Sequence, residues 1–172
     1  YGGHIFAPGV DYNLCSDPES SLRVLRAPVR TRLVTGDVTL RTWITPDDLA
    51  RIAAAGTPFH RAIERAVQHW TPLQRRIFGA LGARIGDDNA AFLHDPLALA
   101  CVYDESFCEF ADLAVEATVQ DGVFRTLEAP AAGPGRILRC ALEVDAERFR
   151  RHFVERLASF RPRGATAPPG GG

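Results

Sequence analysis

The 172-residue sequence contains no methionine and no lysine. All 20 of its strongly basic side chains are arginine, set against 21 acidic ones, for a formal net charge of -1. A near-neutral chain without a basic run offers no electrostatic footprint for nucleic acid or an anionic membrane surface. Arginine is the better fork for phosphate and carboxylate, but its exclusive use reads as codon bias toward G and C rather than as twenty functional choices. No apolar run approaches the ~20 residues that span a bilayer, and no charged-then-apolar leader is visible. GxSxG, GxGxxG, P-loop and HExxH patterns are all missing, so serine hydrolase, dinucleotide, phosphate-loop and zincin chemistry have no motif to stand on. The four cysteines, Cys15, Cys101, Cys108 and Cys140, follow no CxxC or zinc spacing. They read as buried free thiols in a reducing cytosol. Because methionine is absent and Tyr1-Gly2-Gly3-His4-Ile5-Phe6 reads like the middle of a fold, the expectation is a piece of a longer protein.

What is present is ordinary globular composition, 46% hydrophobic and 24% charged, on a chain long enough to bury a core. Proline punctuates it. Asp17-Pro18, Thr45-Pro46, Thr57-Pro58 and Asp95-Pro96 each pair a capping side chain with a proline at the first helical position, and Thr71-Pro72 is a fifth candidate. Helices are predicted over 17–27, 46–55, 58–69, 72–82 after a break at Pro72, 96–103 and 146–160. The last is amphipathic, with Phe149, Phe153, Leu157 and Phe160 on one face. Strands are predicted at Arg32 to Val34, Val38 to Leu40, Phe110 to Val119 and Arg136 to Val144. Ala129 to Gly135 reads as a loop. Residues 161–172, rich in proline and glycine, read as a disordered tail. Mixed helices and strands point to a layered α/β fold occupying residues 1–160, and half of such a sheet leaves an edge strand uncovered.

Three clusters carry chemistry. Asp11 and Asn13 sit two apart, so an extended backbone would turn both to one face, where an acid and an amide suit the hydroxyls of a polyol. The plain alternative is a polar loop before a helix. His94 and Asp95 stand immediately before an apolar helix. Asp95 is explained as a cap, yet an imidazole at a helix mouth can act as a general acid and a carboxylate there can hold a hard cation. Asp87-Asp88-Asn89 has the oxygens of a calcium loop but not its spacing, and reads as a solvated turn. His60, His69 and His152 read as surface or packing residues, and His4 beside Gly2-Gly3 as a weak candidate for a cleft.

In order and spacing, these pieces resemble the inosine-uridine-preferring nucleoside hydrolases. The carriers are Gly2-Gly3, Asp11-Tyr12-Asn13 with Asp17-Pro18-Glu19, Gly36-Asp37-Val38-Thr39, Thr45-Pro46-Asp47-Asp48-Leu49 and Leu93-His94-Asp95-Pro96-Leu97-Ala98. The resemblance covers residues 1 to about 160 and roughly half of a full-length member. It implies the C-terminal part of a Rossmann-like layered sheet with flanking helices, and hydrolysis of the N-glycosidic bond of ribonucleosides. It assigns Asp95 as a Ca2+ ligand, His94 to the nucleobase or leaving group, and Asp11 and Asn13 to ribose hydroxyls. The partner it implies is a small nucleoside, with dimers or tetramers of the chain, and no nucleic acid or membrane. The family's DxDxGxDD motif, the source of most calcium ligands and of the water-activating aspartate, does not occur in this sequence. The rival readings are a non-catalytic ligand-binding relative and an inert fragment.

Overall fold

The computed structural model describes residues 12–80, 82, 84–120, 123–130, 133 and 135–161. They group into two units. One draws on the chain up to Thr42 and on His94–Ala146; the other draws on Trp43–Leu93 and the chain from Glu147 onward.

The first unit is a mixed four-stranded sheet with helices. In chain order it contains α1 (Tyr12–Ser16), α2 (Pro18–Arg26), β1 (Arg32–Leu33), α3 (Gly36–Thr39), α6 (His94–Tyr103), a 3-10 turn (Glu105–Phe107), β4 (Cys108–Gln120), β5 (Val123–Glu128) and β6 (Arg136–Val144). The strand order is β1-β6-β4-β5. β1 runs parallel to β6, whereas β4 runs antiparallel to both β6 and β5. Alternation along the strands builds the core. Val115, Leu138 and Cys140 are buried together with Phe124, Leu33 and Leu25, and Leu22, Leu113, Ala117 and Leu142 pack around them. α2 starts as the sequence predicts: Asp17 accepts from Ser20 N at 3.0 Å, and Pro18 sits where no N–H is needed. Arg136 fastens the loop after α2, donating to the carbonyls of Leu25 (2.9 Å) and Val29.

The second unit contains β2 (Trp43–Ile44), α4 (Pro46–Ala53), α5 (Pro58–Ala80), β3 (Ala91–Phe92) and α7 (Ala146–Ser159). α4 opens on a reciprocal cap: Asp48 N donates to Thr45 Oγ1 (3.1 Å) and Thr45 N to Asp48 Oδ2 (3.0 Å). Gly56 at φ 71° lets the chain leave α4 and turn into α5. His60 is fully buried, as a packing residue. Its Nδ1 lies 2.6 Å from Thr57 Oγ1 and its Nε2 lies 2.8 Å from the Leu157 carbonyl.

Three expectations are corrected. Val38–Leu40 is not a strand: Val38 N and Thr39 N both donate to the Thr35 carbonyl, at 3.1 and 3.0 Å, which closes the turn of α3. The helix predicted to break at Pro72 is continuous from Pro58 to Ala80. A helical proline forfeits one bond, here to the carbonyl of Gln68, and Gln68 is exposed to water. Its apolar residues divide between two faces, with Ile63, Val67 and Phe78 half-buried on the side of His60 and Gln74. Trp70, Leu73 and Ile77 are 43%, 43% and 42% exposed, while Gln74 is buried. Finally, β5 went unassigned in the sequence. The calls on His4 and on residues 162–172 lie outside the described residues.

Candidate functional site

α6 carries the histidine–aspartate pair. Its inward positions, Leu97, Ala100 and Cys101, recur at helical spacing and are buried. This fixes the outward direction of the residues before them, and both His94 and Asp95 are exposed. The helix begins at His94 rather than after Asp95, which corrects the expectation that Asp95 is the cap. Asp95 and Pro96 therefore lie inside the first turn. The proline costs nothing there, because first-turn N–H groups have no helical partner. The carboxylate stands in the first turn, at the positive end of the helix dipole. Among the described residues Asp95 makes no hydrogen bond or ion pair, so its oxygens remain available.

His94 is held from below. Its Nδ1 lies 2.7 Å from Oγ1 of Thr39, the last residue of α3. Thr39 is buried, and Thr42 Oγ1 donates to its carbonyl at 2.9 Å. On the same turn, Thr35 Oγ1 donates to Asp37 Oδ2 at 2.9 Å. Sequence reading missed Thr39, although the segment that holds it was singled out. The signal was a threonine in a short polar turn misread as β-branched strand.

Asn13 lies in α1, exposed and without a hydrogen bond among the described residues. The extended geometry expected of it does not hold, because Tyr12–Ser16 is helical. Asp11 falls outside the described residues. The structure thus joins His94 to Thr39 and leaves Asn13 on a different helix, one that packs on α2 and β5.

Other polar groups are already committed. A groove of about 760 Å³ is lined by Arg30, Arg136, Arg139, Glu105 and Asp112, among others. Within it Arg139 donates to Glu105 at 2.8 and 3.0 Å and lies 3.7 Å from Asp112. Arg139, followed by Arg32, holds the Glu105 carboxyl below its usual range. In the Asp87-Asp88-Asn89 turn, Asp87 pairs with Arg75 at 3.1 Å and Asp88 accepts from the Trp43 indole at 3.3 Å. Asn89 is buried against Gln74. The four thiols are free. Cys101 and Cys108 approach to 3.7 Å, and that contact pushes the Cys101 thiol down and the Cys108 thiol up. Among the described residues no three His, Cys, Asp or Glu side chains cluster as a metal site, and no helix is long and apolar enough to cross a membrane.

Comparison with known proteins adds an independent line. A family model described as inosine-uridine preferring nucleoside hydrolase matches residues 1–151. The putative pyrimidine-specific ribonucleoside hydrolase RihB of Shigella dysenteriae is 25% identical over 122 residues, covering 71% of this chain and 42% of the relative. The pyrimidine-specific ribonucleoside hydrolase RihB of Escherichia coli O1:K1 is also 25% identical over 122 residues, with 36% of its own length covered. Among solved structures, the purine-preferring ribonucleoside hydrolase from Gardnerella vaginalis superposes with a TM-score of 0.73 at 21% identity, covering 87% of this chain and 46% of that one. The plant nucleoside hydrolase PpNRh1 gives 0.73 at 20% identity, covering 88% and 48%. These superpositions establish a shared fold. The chain spans less than half the length of each of these relatives.

Proposed function

The chain belongs to the inosine-uridine preferring nucleoside hydrolase family, and on that premise we propose that it supplies the leaving-group side of a ribonucleoside hydrolase site. The observation that carries this reading is the His94–Asp95 pair: exposed at the first turn of α6, with His94 buttressed by Thr39 at 2.7 Å.

In the reaction, water adds to the anomeric carbon of the ribose and the N-glycosidic bond breaks, through a sugar with oxocarbenium character. The electron pair of that bond leaves with the base, which must gain a proton or a strong hydrogen bond. We assign that task to His94, whose imidazole N–H can donate a hydrogen bond to the departing base. Asn13, with Asp11, would bind ribose hydroxyls and use that remote binding to favour the distorted sugar.

A Ca2+ ion, when bound, would supply a fixed positive charge beside the sugar and the attacking water. Asp95 suits it as one hard oxygen ligand. A calcium shell takes six to eight oxygens, and the described residues offer no cluster of three, so they do not hold the ion alone. No step is routed through it, and the water-activating group is assigned to none of these residues. A nucleoside of either base class fits this reading. A reducing cytoplasmic setting fits the four free thiols.

The test is release of base from inosine and uridine by the intact gene product that contains these residues, with calcium present. His94→Ala is expected to lower kcat by about 10²- to 10⁴-fold while changing KM little. An active enzyme whose His94→Ala form turns over normally would remove His94 from the chemistry. No release from any nucleoside would leave a ligand-binding relative as the better description.

A further inference from the structure

Thr39 is 3% exposed and its backbone is tied on both sides, N–H to the Thr35 carbonyl (3.0 Å) and carbonyl to the Thr42 hydroxyl (2.9 Å). The residue it touches, His94, is by contrast exposed. A fixed, buried hydroxyl therefore meets an exposed imidazole. The hydroxyl carries one proton, and Nδ1 of His94 is the only partner recorded for it among the described residues, at 2.7 Å. Were Nδ1 itself protonated, two protons would compete along that line and the buried hydroxyl would have no acceptor, an outcome folded proteins avoid. The consistent arrangement has Thr39 donating and Nδ1 accepting. A neutral imidazole has one N–H and one lone pair, so a lone pair committed at Nδ1 puts the proton on Nε2.

We propose that Thr39 is the positioning residue for His94: its hydroxyl holds the ring as the Nε2–H tautomer and aims that N–H at the departing base. The second half of this statement rests on the reading of His94 given above; the first half does not. Thr39 touches no substrate and acts only through the ring. The bond joins residues 55 positions apart, so it also couples the end of α3 to the start of α6. A packing role alone would need no particular hydrogen-bond polarity, and that difference is measurable.

The experiment has two arms. In the first, the 15N-labelled chain is examined by two-bond 1H–15N correlation at a pH where the imidazoles are neutral, with His94 assigned by its loss in His94→Gln. The expected result is a single Nε2–H tautomer for His94. In Thr39→Val the share of the Nε2–H tautomer should fall, and in Thr39→Ser it should return to the wild-type position. An Nδ1–H ring in the wild type overturns the proposal, even if the valine variant fails to fold. So does a folded valine variant with an unchanged tautomer. In the second arm, kcat and KM of the intact gene product are compared for the same substitutions. Thr39→Val is expected to lower kcat on the order of tenfold with KM little changed, as for a misaimed catalytic group, and Thr39→Ser to restore it. If His94→Ala leaves turnover intact, the functional reading of His94 fails while the tautomer result still stands for Thr39. If His94→Ala abolishes turnover and Thr39→Val changes neither tautomer nor kcat, the proposal alone falls.

Discussion

Replacing Gln74 by leucine should destabilise the second unit by about 2–4 kcal/mol, although leucine is the better helix former and the more apolar side chain. Gln74 is 1% exposed. Its Oε1 accepts from Phe92 N at 3.0 Å and from the Trp70 indole at 3.1 Å, and its Nε2 donates to Asn89 Oδ1 at 3.2 Å. The three partners do not lose equally. Trp70 is 43% exposed and can turn its N–H to water, whereas Asn89 is 4% exposed and the Phe92 N–H is part-buried. Two orphaned groups at about 1–3 kcal/mol each set the scale, and the gain from burying leucine offsets about 1 kcal/mol of it. The assay is equilibrium urea unfolding followed by circular dichroism and by the fluorescence of the two tryptophans, Trp43 and Trp70, which both lie in this unit. A double-mutant cycle with Asn89→Ala makes the cause visible. Removing Asn89 relieves one orphan, so the pair should cost roughly 1 kcal/mol less than the sum of the single changes. A Gln74→Leu protein within about 0.5 kcal/mol of the wild type, or strictly additive costs, would refute this account of the buried amide.

Thr45→Ala should cost about 1 kcal/mol in thermal or urea unfolding, because the reciprocal cap with Asp48 at 3.0 and 3.1 Å is lost. Burial pushes the Cys140 thiol up to about 11 from an ordinary 9.0, with the charges of Glu128 and Asp112 adding to it. A folded value above the unfolded one favours the neutral thiol, so this contribution is whole below about pH 9 and disappears as pH rises toward 11. Over that window Cys140→Ala should lose about 2–3 kcal/mol less stability than the wild type. The absence of lysine keeps the window clear of competing side-chain amines. Glu105 behaves in the opposite sense. Its carboxyl is held low by Arg139 and then Arg32, so its stabilising effect is present above the ordinary carboxylate range and is lost as pH falls through the folded value. Glu105→Gln should flatten the acid limb of the stability curve.

Features written in neighbouring residues were legible in the sequence; those that depend on distant partners were not. The starts of α2 and α4 follow from a capping oxygen next to proline, chemistry complete within four residues. β6 runs from Arg136 to Val144 as predicted because its residues are mostly aliphatic, although a register shift opposite Glu109 and Phe110 interrupts its alternation. β5 escaped because pairing with β4, rather than its own composition, makes it a strand. Val38 and Thr39 misled because β-branched residues favour strands, yet a single carbonyl, that of Thr35, gathers both of their N–H groups into a turn. Pro72 misled in the other direction, since one lost bond does not end a helix of 23 residues. Gln74 could not be picked out at all: nothing local marks a glutamine whose partners lie 15 and 18 positions away. The site divides along the same line. His94 and Asp95 were visible as a pair before an apolar helix, while the bond from His94 to Thr39 appears only once α3 and α6 are packed.

On the reading proposed above Asp95 is one ligand of a Ca2+ ion, and its place in the first turn of α6 sets what else such an ion needs. A carboxylate in the first turn of a helix is favoured by the dipole by about 0.3–1 kcal/mol. The same field opposes a cation approaching that end of the helix. A divalent ion therefore settles there only where several further oxygens outweigh the opposing field, and none of the described carboxylates joins Asp95 in such a cluster. His94, the first residue of the same helix, is set instead by its contact with the buried Thr39 hydroxyl at 2.7 Å. Asp95 offers there an available charge, one that on the proposed reading would hold a cation only with other oxygens opposite it.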